Sequence, residues 1–163
     1  MAATPIYRTA IAPAWIDYNG HLRDAYYALI LSYATDALME RVGMDAAYRA
    51  ATGNTLYTVE MHIHYLQEVK QTDTAIVTVR IAGADHKRIH AAFEVLRAGQ
   101  TAVAAAAEVM LLHVCQGGDA VRTVPFPAEV SAAIAQLQAA CAGLAAAGPG
   151  SRRMELRPAT RTP

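Results

Sequence analysis

The sequence predicts an α+β domain in which an antiparallel sheet wraps around one long buried helix. Three observations predict it. From Ala25 onward, eleven residues pass before the first charge, at Asp36. Apolar side chains fall on every face of that run, so it reads as a central helix rather than a surface one. From Thr55 to Glu68, Tyr57, Val59, Met61, Ile63 and Tyr65 alternate with Thr58, Glu60, His62 and His64, the period of a half-buried strand. Beyond Pro127, residues Val130, Ile134, Leu137, Cys141 and Leu144 lie on one helical stripe. One central helix leaves such a sheet with an exposed edge and a second face, so edge-to-edge pairing of two subunits is expected.

In chain order, Ile6 to Ala12 reads as a first strand stopped by Pro13, and residues 14–24 as a polar loop. The long helix runs from Ala25 to Met39, with Asp24 as its expected N-cap and Gly43 as its stop. A short helical piece, Asp45 to Ala51, leads to a turn at Thr52-Gly53-Asn54. After the strand at 55–68 come strands at Thr74–Ile81 and Arg88–Arg97, separated by a turn at Gly83-Ala84-Asp85. Ala98-Gly99-Gln100 is a hairpin signal. The run at Thr101–Val114 has high helix propensity. Three strands precede it and a tight turn joins it to the last of them, so it is assigned as a strand, with alanines that let a bulky helix lie close. Pro127 suits the first turn of the last helix, and Gly148-Pro149-Gly150 is its expected stop. The expected organisation is a single domain over residues 1–147 and a mobile tail over 148–163, which carries four arginines and no core.

The 163 residues have a formal net charge of zero, and 17 % are charged, against about 25 % in an ordinary soluble domain. The shortfall fits surface buried between subunits. Lys and Arg are scattered, which speaks against nucleic acid. No segment is long and apolar enough to span a bilayer, and the N-terminus lacks the apolar core of a signal peptide. Two cysteines, Cys115 and Cys141, make neither a disulfide framework nor a zinc site. A reducing cytoplasm is the expected compartment.

The chemistry concentrates in Trp15-Ile16-Asp17-Tyr18-Asn19-Gly20-His21-Leu22-Arg23-Asp24-Ala25-Tyr26-Tyr27. A carboxylate, a carboxamide, a glycine turn and an imidazole stand just before a buried helix. The start of that helix offers unpaired N–H groups and a positive dipole end. Asp17 can attack an electrophile or deprotonate water, the Asp24 N–H can hold a developing oxyanion, and Asn19 and His21 can orient water or Asp17. An Asp before Asn-Gly is more often simply an Asx turn, but the helix and strands that follow favour a site. His62 and His64, on the strand face that also bears Glu60, suggest a metal, but no third ligand of matching spacing is visible. A polar sheet face or a subunit contact is the simpler reading, with Glu60 or His62 reaching a partner's site as a middle possibility. His86, His90 and His113 are assigned to surface or core. No metal or cofactor is expected.

These residues resemble the hotdog-fold acyl-CoA thioesterases of the 4-hydroxybenzoyl-CoA thioesterase type. The likeness is carried by Asp17-x-x-Gly20-His21, by Asp24 and Tyr27, by the long helix, and by Glu60, Tyr65 and Leu66 in the next strand, over roughly residues 5–117. The resemblance implies that Asp17 is the catalytic carboxylate and that the Asp24 N–H holds the thioester carbonyl. The family often has an Asp where Trp15 stands, and Asn-Asn where Arg23 and Asp24 stand; these departures bear on acyl specificity. Within the family, the wording from Trp15 to Tyr27 is similar to the branch linked to carnitine breakdown, which acts on betainyl-CoA. Trp15, Tyr18, Tyr26 and Tyr27 would supply aromatic faces for a quaternary ammonium group, or plain core packing. Lys87 and Arg88 are candidates for the CoA phosphates, a solvated turn being the equal alternative. The expected partner is an acyl-CoA, handled by a homodimer or dimer of dimers. The rival readings are a hydroxyacyl-CoA dehydratase, which would need a His–acid pair, and a non-catalytic acyl-CoA binder.

Overall fold

A computed structural model describes residues 3–117 and 120–143. Strand β1 (Thr4–Ala10) and a 3-10 turn at Pro13–Trp15 lead into helix α1 (Asp24–Arg41) and a short helix α2 (Ala46–Thr52). Strands β2 (Asn54–Tyr65), β3 (Thr74–Ala84), β4 (Arg88–Arg97) and β5 (Val103–Cys115) follow, then a two-residue strand β6 (Arg122–Thr123) and helix α3 (Ala128–Ala140). Every pairing is antiparallel, in the order β1-β3-β4-β5-β2, with β6 beside the end of β5. The hairpins β3–β4 and β4–β5 build the centre of the sheet, while β1 and β2 form its edges.

Helix α1 buries Tyr27, Ile30, Leu31, Ala34, Thr35 and Leu38. They share one core with Val77 and Val79 of β3, Phe93 of β4, and Ala105 and Ala107 of β5. Against its helix propensity, the alanine run is a strand, paired on both sides over most of its length. All of Ala104–Ala107 are at most 3 % exposed. Of these, Ala105 and Ala107 share a face and a core with Ile30 and Leu31, and their small side chains let the helix pack against the sheet at interior density.

Several expectations need correction. Strand β1 begins and ends two residues earlier than the sequence suggests. Helix α1 is not covered all round: Ser32, Tyr33, Asp36 and Glu40 are exposed and Ala28, Leu29 and Ala37 half-buried. The alternation of β2 is interrupted by a register shift between Thr58 and Glu60, and the strand lies at an edge. Tyr57, Val59 and Tyr65 therefore stay exposed, and Met61 and Ile63 are only partly buried. The strand ends at Tyr65 rather than Glu68, because the N–H groups of Leu66 and Gln67 both turn onto the Ala104 carbonyl (2.9 and 3.0 Å). Strand β3 runs on to Ala84, and the turn after it is tied by Asp85 Oδ1, which accepts the N–H groups of Lys87 and Arg88. Helix α3 uses Pro127 as its cap residue and buries Val130 and Ile134. The expected stop at Gly148-Pro149-Gly150, Leu144, the domain end at residue 147 and the tail 148–163 lie outside the described residues.

Candidate active site

Residues 15–23 fold back as a tight hairpin. Ile16 bridges to Leu22, the Asp17 N–H donates to the His21 carbonyl (2.9 Å), and the Arg23 N–H donates to the Trp15 carbonyl (3.0 Å). The turn closes with Gly20 N–H on the Asp17 carbonyl (3.1 Å). Gly20 has φ +83°, a left-handed conformation that a side chain would strain. Asp17 Oδ1 accepts the N–H of Asn19 (2.8 Å) and of His21 (3.1 Å). The Asx turn weighed against a site is therefore real, and it is what positions the carboxylate. The His21 N–H above all, with the Asn19 N–H and side-chain amide, holds the Asp17 carboxyl below its usual 3.8 against the opposing effect of burial. Asp17 is thus an anion at neutral pH, as a nucleophile or base must be.

Where the hairpin meets α1, the cap position belongs to Arg23, which makes no side-chain cap. Asp24 is not the N-cap but the first helical residue, and its Oδ1 accepts the Ala25 N–H (2.8 Å). The N–H of Arg23 is spent on Trp15 and that of Tyr26 on the Arg23 carbonyl (3.0 Å). The Asp24 N–H has no acceptor among the described residues, and it stands at the positive end of the helix.

A cavity of about 340 Å³ opens here, lined by His21, Leu22, Asp24, Tyr27, Tyr65, Leu66, Gln67 and Glu68. Residues 66–70 lie beside the hairpin because the Leu22 N–H donates to the Val69 carbonyl (2.7 Å) and His21 bridges to Lys70. Glu68 Oε2 lies 3.1 Å from His21 Nε2. The rings of Tyr27 and Tyr65 meet edge-on, 5.1 Å apart at 79°, and the Tyr65 hydroxyl donates to the Asp24 carbonyl at 3.4 Å. Burial, with a further contribution from Tyr65, pushes the Tyr27 phenol up to about 12, so it remains a neutral O–H.

The other candidates lie elsewhere. Trp15 and Tyr26 stack on each other (5.6 Å, 20°) and neither lines the cavity. Tyr18, 95 % exposed, projects from the tip of the hairpin beside Asn19. Glu60 and His62 pair with each other at 3.1 Å. His62 stands opposite Glu108 of β5, in the alternate register to the core residues Ala107 and Val109. No group of three or more His, Cys, Asp or Glu among the described residues is arranged to hold a metal. Lys87 and Arg88 lie past the far end of β3, an 11-residue strand, roughly 30 Å along it from the cavity of the same chain. Arg88 is moreover tied to Asp85 by Nε (2.8 Å) and Nη2 (2.6 Å). His90 and His113 are both buried. Gln67 and Glu68 belong to no motif of the sequence, and Tyr65 only to the one that carries the family resemblance. A carboxylate just past the end of a strand has no periodicity to mark it; the bond from Leu22 to Val69 and the pairing of His21 with Lys70 bring it to the hairpin. A larger cavity of about 520 Å³ lies between Asp36, Glu40, Met44, Arg49 and Leu56 and contains none of the motif residues.

A sheet curled round one helix, with ionised Asp17 in the hairpin leading to an open helix start, has the architecture of the hotdog thioesterases. The chain belongs to the Thioesterase-like superfamily, whose family model matches residues 11–134. It is 44 % identical over 131 residues to the betainyl-CoA thioesterase of Pseudomonas aeruginosa, covering 80 % of this chain and 81 % of that protein. Among solved structures it is similar to a candidate thioesterase from Pseudomonas putida KT2440, with a TM-score of 0.80, 42 % identity, and 97 % and 99 % of the two chains covered. A Staphylococcus aureus protein solved in complex with CoA has a TM-score of 0.80 at 26 % identity, covering 96 % and 98 %.

Proposed function

We propose that this chain hydrolyses a short acyl-CoA thioester to the free acid and CoA, and that its substrate is betainyl-CoA, in carnitine breakdown. The observation that carries the reading is the unpaired Asp24 N–H at a cavity whose hairpin also holds ionised Asp17. The thioester carbonyl oxygen accepts from that N–H, which stabilises the charge that develops on it. Asp17 either attacks the carbonyl carbon, giving an anhydride that water then opens, or takes a proton from an attacking water. Either route adds one water and releases the thiol of CoA. The name of the Pseudomonas aeruginosa relative and the resemblance of the segment Trp15–Tyr27 support betainyl as the acyl group. The CoA-bound Staphylococcus aureus structure supports CoA as the carrier. Thiol release measured over a panel of acyl-CoAs tests the reading: betainyl-CoA should be turned over fastest, and binding without release would leave only an acyl-CoA binder.

A dehydratase needs a His–acid pair, and His21–Glu68 is one. Hydrolysis is favoured by the family and by the relative's name. Including a 3-hydroxyacyl-CoA in the panel separates the two, since dehydration yields an enoyl product without free thiol.

We also propose that the working unit is a homodimer or a dimer of dimers. Edge strand β2 leaves Tyr57, Val59 and Tyr65 exposed, and the uncovered face of α1 presents Tyr33 at 43 % exposure. Pairing of two β2 edges would cover the exposed side chains of that edge, while Tyr33 lies beside Tyr7 of β1, at the other edge (5.8 Å). The two cysteines, buried and unpaired, are compatible with a reducing cytoplasm.

A further inference from the structure

We infer that Tyr65 and Glu68, together with Tyr27 and Asp24, form the subsite that reads a quaternary ammonium group on the acyl chain. The inference rests on the betainyl-CoA reading and assigns its specificity to residues that the motif alone does not reveal. In a betainyl thioester the carbonyl carbon and the cationic nitrogen are separated by two bonds, about 2.5 Å. If the carbonyl oxygen sits on the Asp24 N–H, the cation must lie among the side chains nearest that N–H. Those side chains are the walls of the 340 Å³ cavity. The walls contain two carboxylates, Asp24 and Glu68, two phenols, and neither Lys nor Arg. The nearby cation Arg97 is not part of that lining; its Nη2 donates to the side-chain oxygens of Gln67 (2.7 Å) and Gln100 (3.3 Å), neutral groups that leave its charge acting on Tyr27, and the two carboxylates of the wall outnumber it.

The geometry of the aromatic pair suits this ligand. Two rings at 79° with centroids 5.1 Å apart make a corner, and a trimethylammonium group seated in a corner of aromatic rings is held by their quadrupoles and by apolar contact of its methyl groups. Tyr65 is fixed by its hydroxyl on the Asp24 carbonyl, so the corner is attached to the residue that carries the oxyanion donor. Glu68 spends Oε2 on His21 and keeps Oε1 without a described partner. Its negative charge therefore remains available to a ligand that offers charge but no N–H.

The test compares kcat/KM for betainyl-CoA and 3,3-dimethylbutyryl-CoA, in which carbon replaces the quaternary nitrogen with the same shape and no charge. Wild type should prefer the cation. Glu68→Gln retains an acceptor for His21 and removes the charge, and it should lower the preference about tenfold. Tyr65→Leu should lower it by a similar factor, and Tyr65→Phe, which keeps the ring face, should restore most of it. Both positions are exposed in the chain, at 54 % for Tyr65 and 64 % for the Glu68 side chain, so folded variants are expected; circular dichroism checks this. A wild type that prefers the cation beside variants with an unchanged ratio overturns the subsite. Equal slowing of both substrates in Glu68→Gln also overturns it, because Glu68 would then act through His21 on turnover. A wild type with no preference overturns the betainyl reading itself and leaves the thioesterase class standing.

Discussion

The Arg23 N–H donates to the Trp15 carbonyl at 3.0 Å, and that bond fixes where the hairpin hands over to α1. Asp24, one residue on, keeps an N–H without an acceptor among the described residues. Trp15 thus contributes through its backbone, while its indole stacks on Tyr26 and holds the base of the hairpin against the helix.

Asp17→Asn should lower kcat at least about a hundredfold, with the thermal midpoint and oligomeric state unchanged. Asn keeps a side-chain oxygen for the N–H groups of Asn19 and His21, so the turn survives while the anion is lost. Turnover near normal in a folded Asp17→Asn protein would refute the mechanism. Because the backbone N–H groups depress the Asp17 carboxyl, protonation of this group should silence wild-type hydrolysis only below pH 3.8; a pH–rate profile whose acid limb titrates well above that would assign it to another group.

Asp24→Asn should change the ratio of kcat/KM between cationic and neutral acyl-CoAs, because a charge-assisted contact to the substrate cation is lost. The backbone N–H remains, and Asn can still accept the Ala25 N–H that Asp24 accepts at 2.8 Å. Removing an acidic group from the first turn should cost about 0.5 kcal/mol of helix stabilisation. An unchanged ratio would reduce Asp24 to a helix-start residue.

Sedimentation at micromolar concentration should give at least twice the 17.4 kDa chain mass. Val59, 53 % exposed on edge strand β2, is the position at which a charge should break that association: Val59→Lys should sediment as monomer. A wild type that sediments only as monomer refutes the proposed assembly.

Buried His113 should make stability depend on pH. Its Nδ1–H donates to the Val124 carbonyl (3.0 Å), its Nε2 accepts the Tyr48 hydroxyl (2.9 Å), and its ring stacks on Phe126 (4.8 Å). Burial holds the ring below its ordinary 6.5, against the bonds to Val124 and Pro125 that act the other way. The folded ring is therefore neutral where the unfolded one takes up a proton. The unfolded state binds more protons as pH falls, so this contribution is complete above pH 6.5 and declines as pH drops below it. Urea unfolding at pH 7.5 and 5.5 should show that decline in wild type and less of it in His113→Leu. The variant should also lose about 2 kcal/mol at pH 7.5, since the Tyr48 hydroxyl loses its acceptor, keeping only the donor Asn54 Nδ2, and the Val124 carbonyl loses the imidazole donor. An identical pH response in both proteins would refute the assignment.

The order of elements was legible because the apolar run after Ala25, the alternation after Thr55 and the stripe after Pro127 each carry their own period. The strand at Val103–Cys115 was legible only through its neighbours, since alanine carries no strand preference of its own. Hidden from local pattern were the register shift after Thr58, which needs the partner strand to define it, and the position of β2 at an edge, which turns a half-buried strand into an exposed one. The site divides in the same way. Asp17, Gly20, His21 and Asp24 are contiguous and were readable together. Tyr65, Gln67 and Glu68 reach the cavity only through the chain's path beside Leu22, and Lys87 and Arg88 are carried away from it by the length of β3.

The alanines at 104–107 have a consequence for how the chain comes to be folded. Taken alone, the segment from Ala104 to Leu112 favours helix, and nothing local selects a strand for it. Its extended form depends on a template, and the nearest is β4, one tight turn upstream at Gly99, whereas β2 lies across the 37 residues between Tyr65 and Val103. The β4–β5 hairpin should therefore close before β2 docks, because the shorter loop loses less entropy on closing. The strand that carries Tyr65 to the cavity is then among the last pieces to arrive, and the acyl subsite matures only after the core that supports it already exists.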